Sequence, residues 1–154
     1  MATAYLSLGT NLGDKKRNMI IAAGLLAERV GEILALSDLY ETKPWGFDSE
    51  NTFLNAALII ETSLDPFELL DATQAIEKEM GRTEKSHGQY KDRIIDIDIL
   101  LYEDLILNTK ELTLPHPLMH ERGFVVGPLA EIAATLVHPV IKKTMGEIYL
   151  SLPI

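Results

Sequence analysis

The sequence predicts an α+β fold in which helices pack on an antiparallel sheet, and three features predict it. Two segments carry helix signals, each opened by a capping Asp and closed by a Gly. Ile94-Ile95-Asp96-Ile97-Asp98-Ile99-Leu100-Leu101 alternates with the period of a strand and is rich in β-branched residues. Taken in chain order, the elements run β-α-β-β-α-β, the ferredoxin-like antiparallel sheet, with extra short strands and a C-terminal helix. The 154 residues are expected to form one domain over 1–154, long enough to bury a core.

Residues 3–8 read as the first strand, which runs into Gly9-Thr10-Asn11-Leu12-Gly13-Asp14. Asp14 can accept a backbone N–H of the first helical turn, so a helix is expected to about Val30, with Gly31 placed to end it. Residues 32–41 are expected to resume as a strand. Lys43-Pro44-Trp45-Gly46-Phe47-Asp48-Ser49-Glu50-Asn51 is dense in turn formers and should be an exposed, mobile loop. Leu54 to Thr62 is another strand. Asp65-Pro66-Phe67-Glu68 joins a capping Asp, a first-turn Pro and a Glu in the capping-box position, so a helix should run to about Met80 and stop at Gly81. A polar loop, 82–93, precedes the strand at 94–102. Glu103-Asp104 should turn into a short strand at Leu105–Leu107, and another extended piece ends at Leu114-Pro115-His116-Pro117. The C-terminal helix is expected from Phe124 to Ala134, bent at Pro128.

Composition narrows the function. A net charge of −9 argues against a nucleic-acid partner, which calls for a basic face. No apolar run has membrane-spanning length, so no membrane association is expected. Met1-Ala2-Thr3-Ala4-Tyr5-Leu6-Ser7-Leu8 lacks a basic leader and reads as a strand, not a signal peptide. Without cysteine there is no disulfide framework and no thiolate metal site. A soluble, cytoplasmic protein is the expectation.

Asp96 and Asp98 carry the chemistry. Residues i and i+2 of a strand share a face about 7 Å apart, so two carboxylates face one way while Ile95, Ile97, Ile99 and Leu101 face a core. Such a pair can collect hard divalent cations, most naturally Mg²⁺, beside a phosphate ligand. It can equally be the solvated face of a half-exposed strand. Just upstream, Arg82, Lys85, Lys91 and Arg93 stand against Glu84 and Asp92, a local excess of +2 in an acidic chain. Cations beside a carboxylate pair suit a metal-bound polyphosphate, though scattered charge on a solvated loop has the same composition.

The residues resemble the 6-hydroxymethyl-7,8-dihydropterin pyrophosphokinases of the folate pathway. The matches are co-linear: Leu8-Gly9-Thr10-Asn11-Leu12-Gly13-Asp14, Tyr40-Glu41-Thr42, Phe53-Leu54-Asn55, Gln74, Glu77, Gly81-Arg82, Asp96-Ile97-Asp98-Ile99-Leu100, Leu114-Pro115-His116-Pro117, His120-Glu121-Arg122-Gly123-Phe124 and Pro128-Leu129. A lone D-x-D is weak, whereas this series covers most of the chain. The resemblance implies transfer of the terminal diphosphate of ATP to the hydroxymethyl oxygen of the dihydropterin, with release of AMP. It implies two Mg²⁺ ions on Asp96 and Asp98, and assigns Arg82 and Arg93 to the triphosphate as catalytic residues.

The same resemblance places Gln74, Glu77, Lys85, His116 and Arg122 on the ATP side. It places Thr42, Phe53, Asn55 and Phe124 around the pterin, and Trp45, standing where smaller apolar residues are familiar in the family, is expected to cover it. A pterin is flat and has an amide-like edge, so aromatic faces and a carboxamide suit it. Taken alone, Phe53 and Phe124 are ordinary core residues, Arg82 a complement to a helix C-terminus, Arg93 a rim charge and His116 a turn residue. The chain departs from the family at Tyr90 and Lys91-Asp92, where Trp and Gly-Pro are common, and at Leu118, where a basic residue is common. ATP and the dihydropterin are thus the expected partners of a monomer. A non-catalytic Mg²⁺–nucleotide binding module is the alternative, and it would not need Asn55 or the paired rings.

Overall fold

A computed structural model describes residues 1–43, 52–81 and 94–153. Its elements are β1 (Ala2–Thr10), α1 (Lys15–Arg29), β2 (Gly31–Leu36), β3 (Tyr40–Thr42), β4 (Phe53–Thr62), α2 (Pro66–Glu79) and β5 (Asp96–Tyr102). After these come a short hairpin, β6 (Leu107–Asn108) with β7 (Thr113–Leu114), a 3₁₀ turn at Met119–Glu121, and the helices α3 (Gly123–Ala133) and α4 (Met145–Ser151). The main sheet has the order β2-β4-β1-β5, with β3 also paired to β4, and every pairing is antiparallel. This is the α+β, ferredoxin-like arrangement that the element order predicts.

Local chemistry sets the element ends. Asp14 accepts the Arg17 N–H and starts α1. Asp65 and Glu68 exchange hydrogen bonds at 2.8 and 2.9 Å in a capping box that opens α2. Gly81 follows α2 with φ of +111°, a conformation that L side chains resist. Gly31 differs from expectation: α1 ends with Val30 as its cap, and Gly31 is already strand. A Cβ at Gly31 would lie 1.9 Å from the Glu61 carbonyl oxygen, so close approach of two strands, not a helix stop, requires glycine here.

Alternation along the strands builds two cores. Ala4, Leu6 and Leu8 of β1, Leu54, Ala56, Leu58 and Ile60 of β4, and Ile97 and Ile99 of β5 pack against Met19, Ala22 and Leu26 of α1 and Leu69 and Ile76 of α2. On the opposite face Ala57, Leu100 and Leu101 meet Val125, Val126 and Leu129 of α3 and Met145 and Ile148 of α4. Leu101 therefore leaves the row expected with Ile95, Ile97 and Ile99. The cause is a bulge: Leu6 pairs Ile99 but Tyr5 pairs Leu101, so Leu100 is an extra residue and both leucines join the second core.

Three further expectations change. The strand at 32–41 is two strands, because Ser37 takes over the ladder. Its N–H donates to the Ala57 carbonyl (2.9 Å), and its Oγ accepts the Ala57 N–H (2.8 Å). The short strand placed at Leu105–Leu107 lies instead at Leu107–Asn108. A second C-terminal helix, α4, follows the expected one and opens with a capping box between Thr144 and Glu147. Residues 44–51 and 82–93, with Trp45, Arg82, Lys85, Tyr90, Lys91, Asp92 and Arg93, lie outside the described residues.

Candidate active site

The second face of the sheet is covered by α3 and α4 at one end, and its other end floors a cleft. Strand register decides which side chains meet there. Asp96 stands opposite Gly9, Gly9 opposite Asn55, and Asn55 opposite Tyr40. In the next row on the same face, Asp98 stands opposite Ser7 and Ser7 opposite Ala57. With strands about 4.8 Å apart, the carboxamide of Asn55 and the acid pair are held roughly 10 Å from each other across β1. The cleft has about 450 Å³ of empty space, its open mouth included, and is lined by Ser7, Gly9, Thr42, Lys43, Phe53, Asn55, Asp96, Asp98, Arg122, Phe124 and Val125.

One side of the cleft is a slot. Asn55 is only 3% exposed, and its Nδ2 donates to the Thr42 Oγ1 at 2.7 Å and more distantly to the Tyr40 carbonyl. Those bonds to β3 fix the amide plane. Between Asn55 and Asp96 β1 offers only Gly9, where a Cβ would stand 3.4 Å from Asn55 Oδ1 and 3.7 Å from the Phe53 ring. The floor is therefore clear for a flat molecule. Phe124, in the first turn of α3, forms the facing wall with Val125.

The other side is charged. Asp96 and Asp98 are both half-buried, and Arg122, 6% exposed, shares the cleft with them. Its guanidinium lies 6.0 Å from the Phe124 ring centroid, so the cation that shares the cleft with the acid pair stands beside the aromatic side as well. Asp96 and Asp98 suit magnesium on donor chemistry alone. They are two hard oxygen ligands on one rigid strand, and no group of three or more His, Cys, Asp or Glu able to hold a metal occurs among the described residues. Mg²⁺ is commonly held by one or two carboxylates with phosphate and water completing its shell.

Of the residues singled out in the sequence, Thr42, Phe53, Asn55, Asp96, Asp98, Arg122 and Phe124 line this one cleft. Gln74 is exposed on α2 and does not line the cleft. Glu77 is buried below β5, where its Oε2 accepts the Ile97 N–H at 2.7 Å, between the two aspartates along the chain. His116 sits half-buried after a cis Leu114–Pro115 bond, and its backbone N–H donates to the Leu100 carbonyl at 2.9 Å. Its Nδ1 accepts the Leu118 N–H at 3.3 Å, which leaves the proton of the neutral ring on Nε2. Ser7, Gly9, Lys43 and Val125 are lining residues that the sequence reading did not single out. For Ser7 and Gly9 the signal was present, since alternation puts them on the face opposite Leu6 and Leu8.

A ferredoxin-like sheet with an acidic pair, a buried cation and an aromatic slot in one cleft defines a transferase that works on a phosphorylated ligand. Residues 5–134 match the 7,8-dihydro-6-hydroxymethylpterin-pyrophosphokinase (HPPK) family, and the chain belongs to it. It is 51% identical over 141 residues to the 2-amino-4-hydroxy-6-hydroxymethyldihydropteridine pyrophosphokinase of Porphyromonas gingivalis, covering 90% of this chain and 95% of that protein. The corresponding protein of Aquifex aeolicus is 45% identical over 147 residues, covering 96% and 90% of the two chains. Among solved structures, an HPPK-DHPS in complex with substrates superposes with a TM-score of 0.78 at 16% identity, over 97% of this chain and 43% of that one. That likeness is one of fold, and this chain spans less than half of the solved chain's length.

Proposed function

We propose that this cleft binds ATP and 6-hydroxymethyl-7,8-dihydropterin side by side and joins them. The protein is a pyrophosphokinase of folate biosynthesis: it transfers diphosphate from ATP to the pterin hydroxymethyl group and releases AMP. The observation that carries the site assignment is the single cleft shared by Asp96, Asp98 and Arg122 with Phe53, Asn55 and Phe124. A nucleotide-binding module alone would have no use for the second set.

In this reading the pterin lies between Phe53 and Phe124, with its amide-like edge read by Asn55 and its hydroxymethyl group directed across Gly9 toward β5. Asp96 and Asp98 would hold magnesium, two ions as the family resemblance implies. When bound, the metal would supply positive charge against the triphosphate. Arg122 adds a fixed positive charge, Arg82, Arg93 and Lys85 are assigned to the triphosphate as further cations, and the His116 Nε2–H donates to a phosphate oxygen. Trp45, in the segment before β4, is assigned to cover the pterin. Gln74 is assigned to the ATP side, and Glu77 acts there by gripping β5. A primary alcohol attacking through a loose transition state needs positioning more than early deprotonation, so these residues orient the reactants and exclude water.

Seven of the assigned residues, Thr42, Phe53, Asn55, Asp96, Asp98, Arg122 and Phe124, line one cleft of one chain, which supports a single domain working as a monomer. Among the described residues no helix is long and apolar enough to cross a membrane, consistent with a cytoplasmic enzyme. The direct test is incubation with ATP, Mg²⁺ and hydroxymethyl-dihydropterin: AMP should form only when all three are present. Asn55→Ala removes the edge-reading amide and should weaken pterin binding by about 1–3 kcal/mol while ATP binding is retained. Unchanged pterin affinity in that variant would refute the slot.

A further inference from the structure

Outside the cleft, one polar cluster ties two of its walls together. Glu131, exposed near the end of α3, accepts the Tyr40 hydroxyl through Oε1. The same carboxylate accepts the Asp38 backbone N–H, at 3.1 Å to Oε2 and 3.3 Å to Oε1. Asp38 lies in the break between β2 and β3, and Tyr40 is the first residue of β3. A strand of three residues has little ladder of its own, so these bonds fix where β3 begins. From Tyr40 the connection to the slot is short. Its carbonyl and the Thr42 hydroxyl, at the two ends of β3, both receive the Asn55 amide.

The other end of the connection is α3. Phe124 and Glu131 are seven residues apart on this helix, two turns, so they share a face, and that face lies against β3 and β4. One helix face therefore carries both the aromatic wall of the slot and the carboxylate that anchors the strand on its opposite side. We propose that Glu131, acting through Tyr40, is a positioning residue that sets the separation of Phe124 from the Asn55–Thr42 pair. Pterin affinity then depends on a group that touches neither substrate. This role rests on the pterin reading of the slot.

Three variants test it. Glu131→Ala removes both bonds, Tyr40→Phe removes only the hydroxyl bond, and Glu131→Gln keeps an oxygen that can accept both. Loss of ground-state positioning raises KM without lowering kcat. Glu131→Ala is expected to raise KM for the dihydropterin about fivefold or more, Tyr40→Phe somewhat less. KM for ATP and kcat should stay within about twofold of the parent, and Glu131→Gln should restore most of the pterin KM. Independently of any substrate, the Asp38 amide should exchange its hydrogen faster in Glu131→Ala than in the parent. An unchanged pterin KM, equal changes in both substrates' KM values, or unchanged exchange at Asp38 would each overturn the role. A parent protein that binds no pterin would overturn the slot and this role together, while pterin bound equally by parent and Glu131→Ala would overturn this role alone.

Discussion

Asp96 and Asp98 share a face because strand side chains alternate, and they reach a cleft because their strand pairs with β1 at Gly9 and Ser7. Replacing either carboxylate by a carboxamide of the same size removes charge and little else. Asp96→Asn and Asp98→Asn are expected to lower kcat by on the order of a hundredfold or more, with circular dichroism unchanged. Full turnover in either variant would refute the metal assignment. Asn55 is more tightly specified, since its burial obliges the amide to find partners, and β3 supplies them. The sequence itself shows the same oddity, a carboxamide inside the apolar run Leu54-Asn55-Ala56-Ala57-Leu58. Gln74 and His116 had only the family match to recommend them, and neither lines the cleft.

At the scale of elements, signals confined to a few neighbouring residues were legible. The Asp14 and Asp65 caps, the Gly81 stop and the alternation of β5 each depend on contacts within one turn or one strand. What was not legible depends on a partner strand. Gly31 looks like a helix stop until β4 is placed beside it, and the break at Ser37 is invisible until Ala57 is opposite. The bulge at Leu100 likewise exists only relative to β1. The capping box of α4, Thr144-Met145-Gly146-Glu147, is a local signal of the same kind as the Asp14 and Asp65 caps. Gly31→Ala should destabilise the fold by about 1–3 kcal/mol, because backbone on both sides must give way. A urea midpoint equal to the parent's would contradict the close approach of β2 to β4.

At the scale of the molecule, two apolar cores among the described residues sit on opposite faces of one sheet, and the second is finished by the segment leading to α4. His138 lies in that segment, 4% exposed, with Nδ1 accepting the Val140 and Ile141 N–H groups at 3.2 and 3.1 Å. Burial, and then the nearby His120, hold its pKa below the ordinary imidazole value. The native state therefore keeps this ring neutral where the unfolded chain takes up a proton. Stability should be lost as pH falls below about 6.5, and be fully present above that. Thermal melts between about pH 7.5 and 5 should show the decline, with a shallower slope in His138→Gln. Equal slopes would remove His138 from the acid response. Similarly, Tyr40 is pushed up to about 12, first by its bond to Glu131, so its contribution is complete below about 10 and fades as the pH rises through 12.

The surplus residue in β5 has an effect beyond core packing. By stepping out of register at Leu100, the strand brings forward a carbonyl that receives the His116 N–H, and the Pro115-His116-Pro117 turn is seated on it. An irregularity thus moors a phosphate-donor candidate to the very strand that bears the acid pair. Excising Leu100 should return β5 to plain pairing, leave both aspartates facing the cleft, and set His116 adrift. Michaelis constants would then worsen for ATP while pterin affinity survives. Were ATP handled as before, the histidine would need no such mooring.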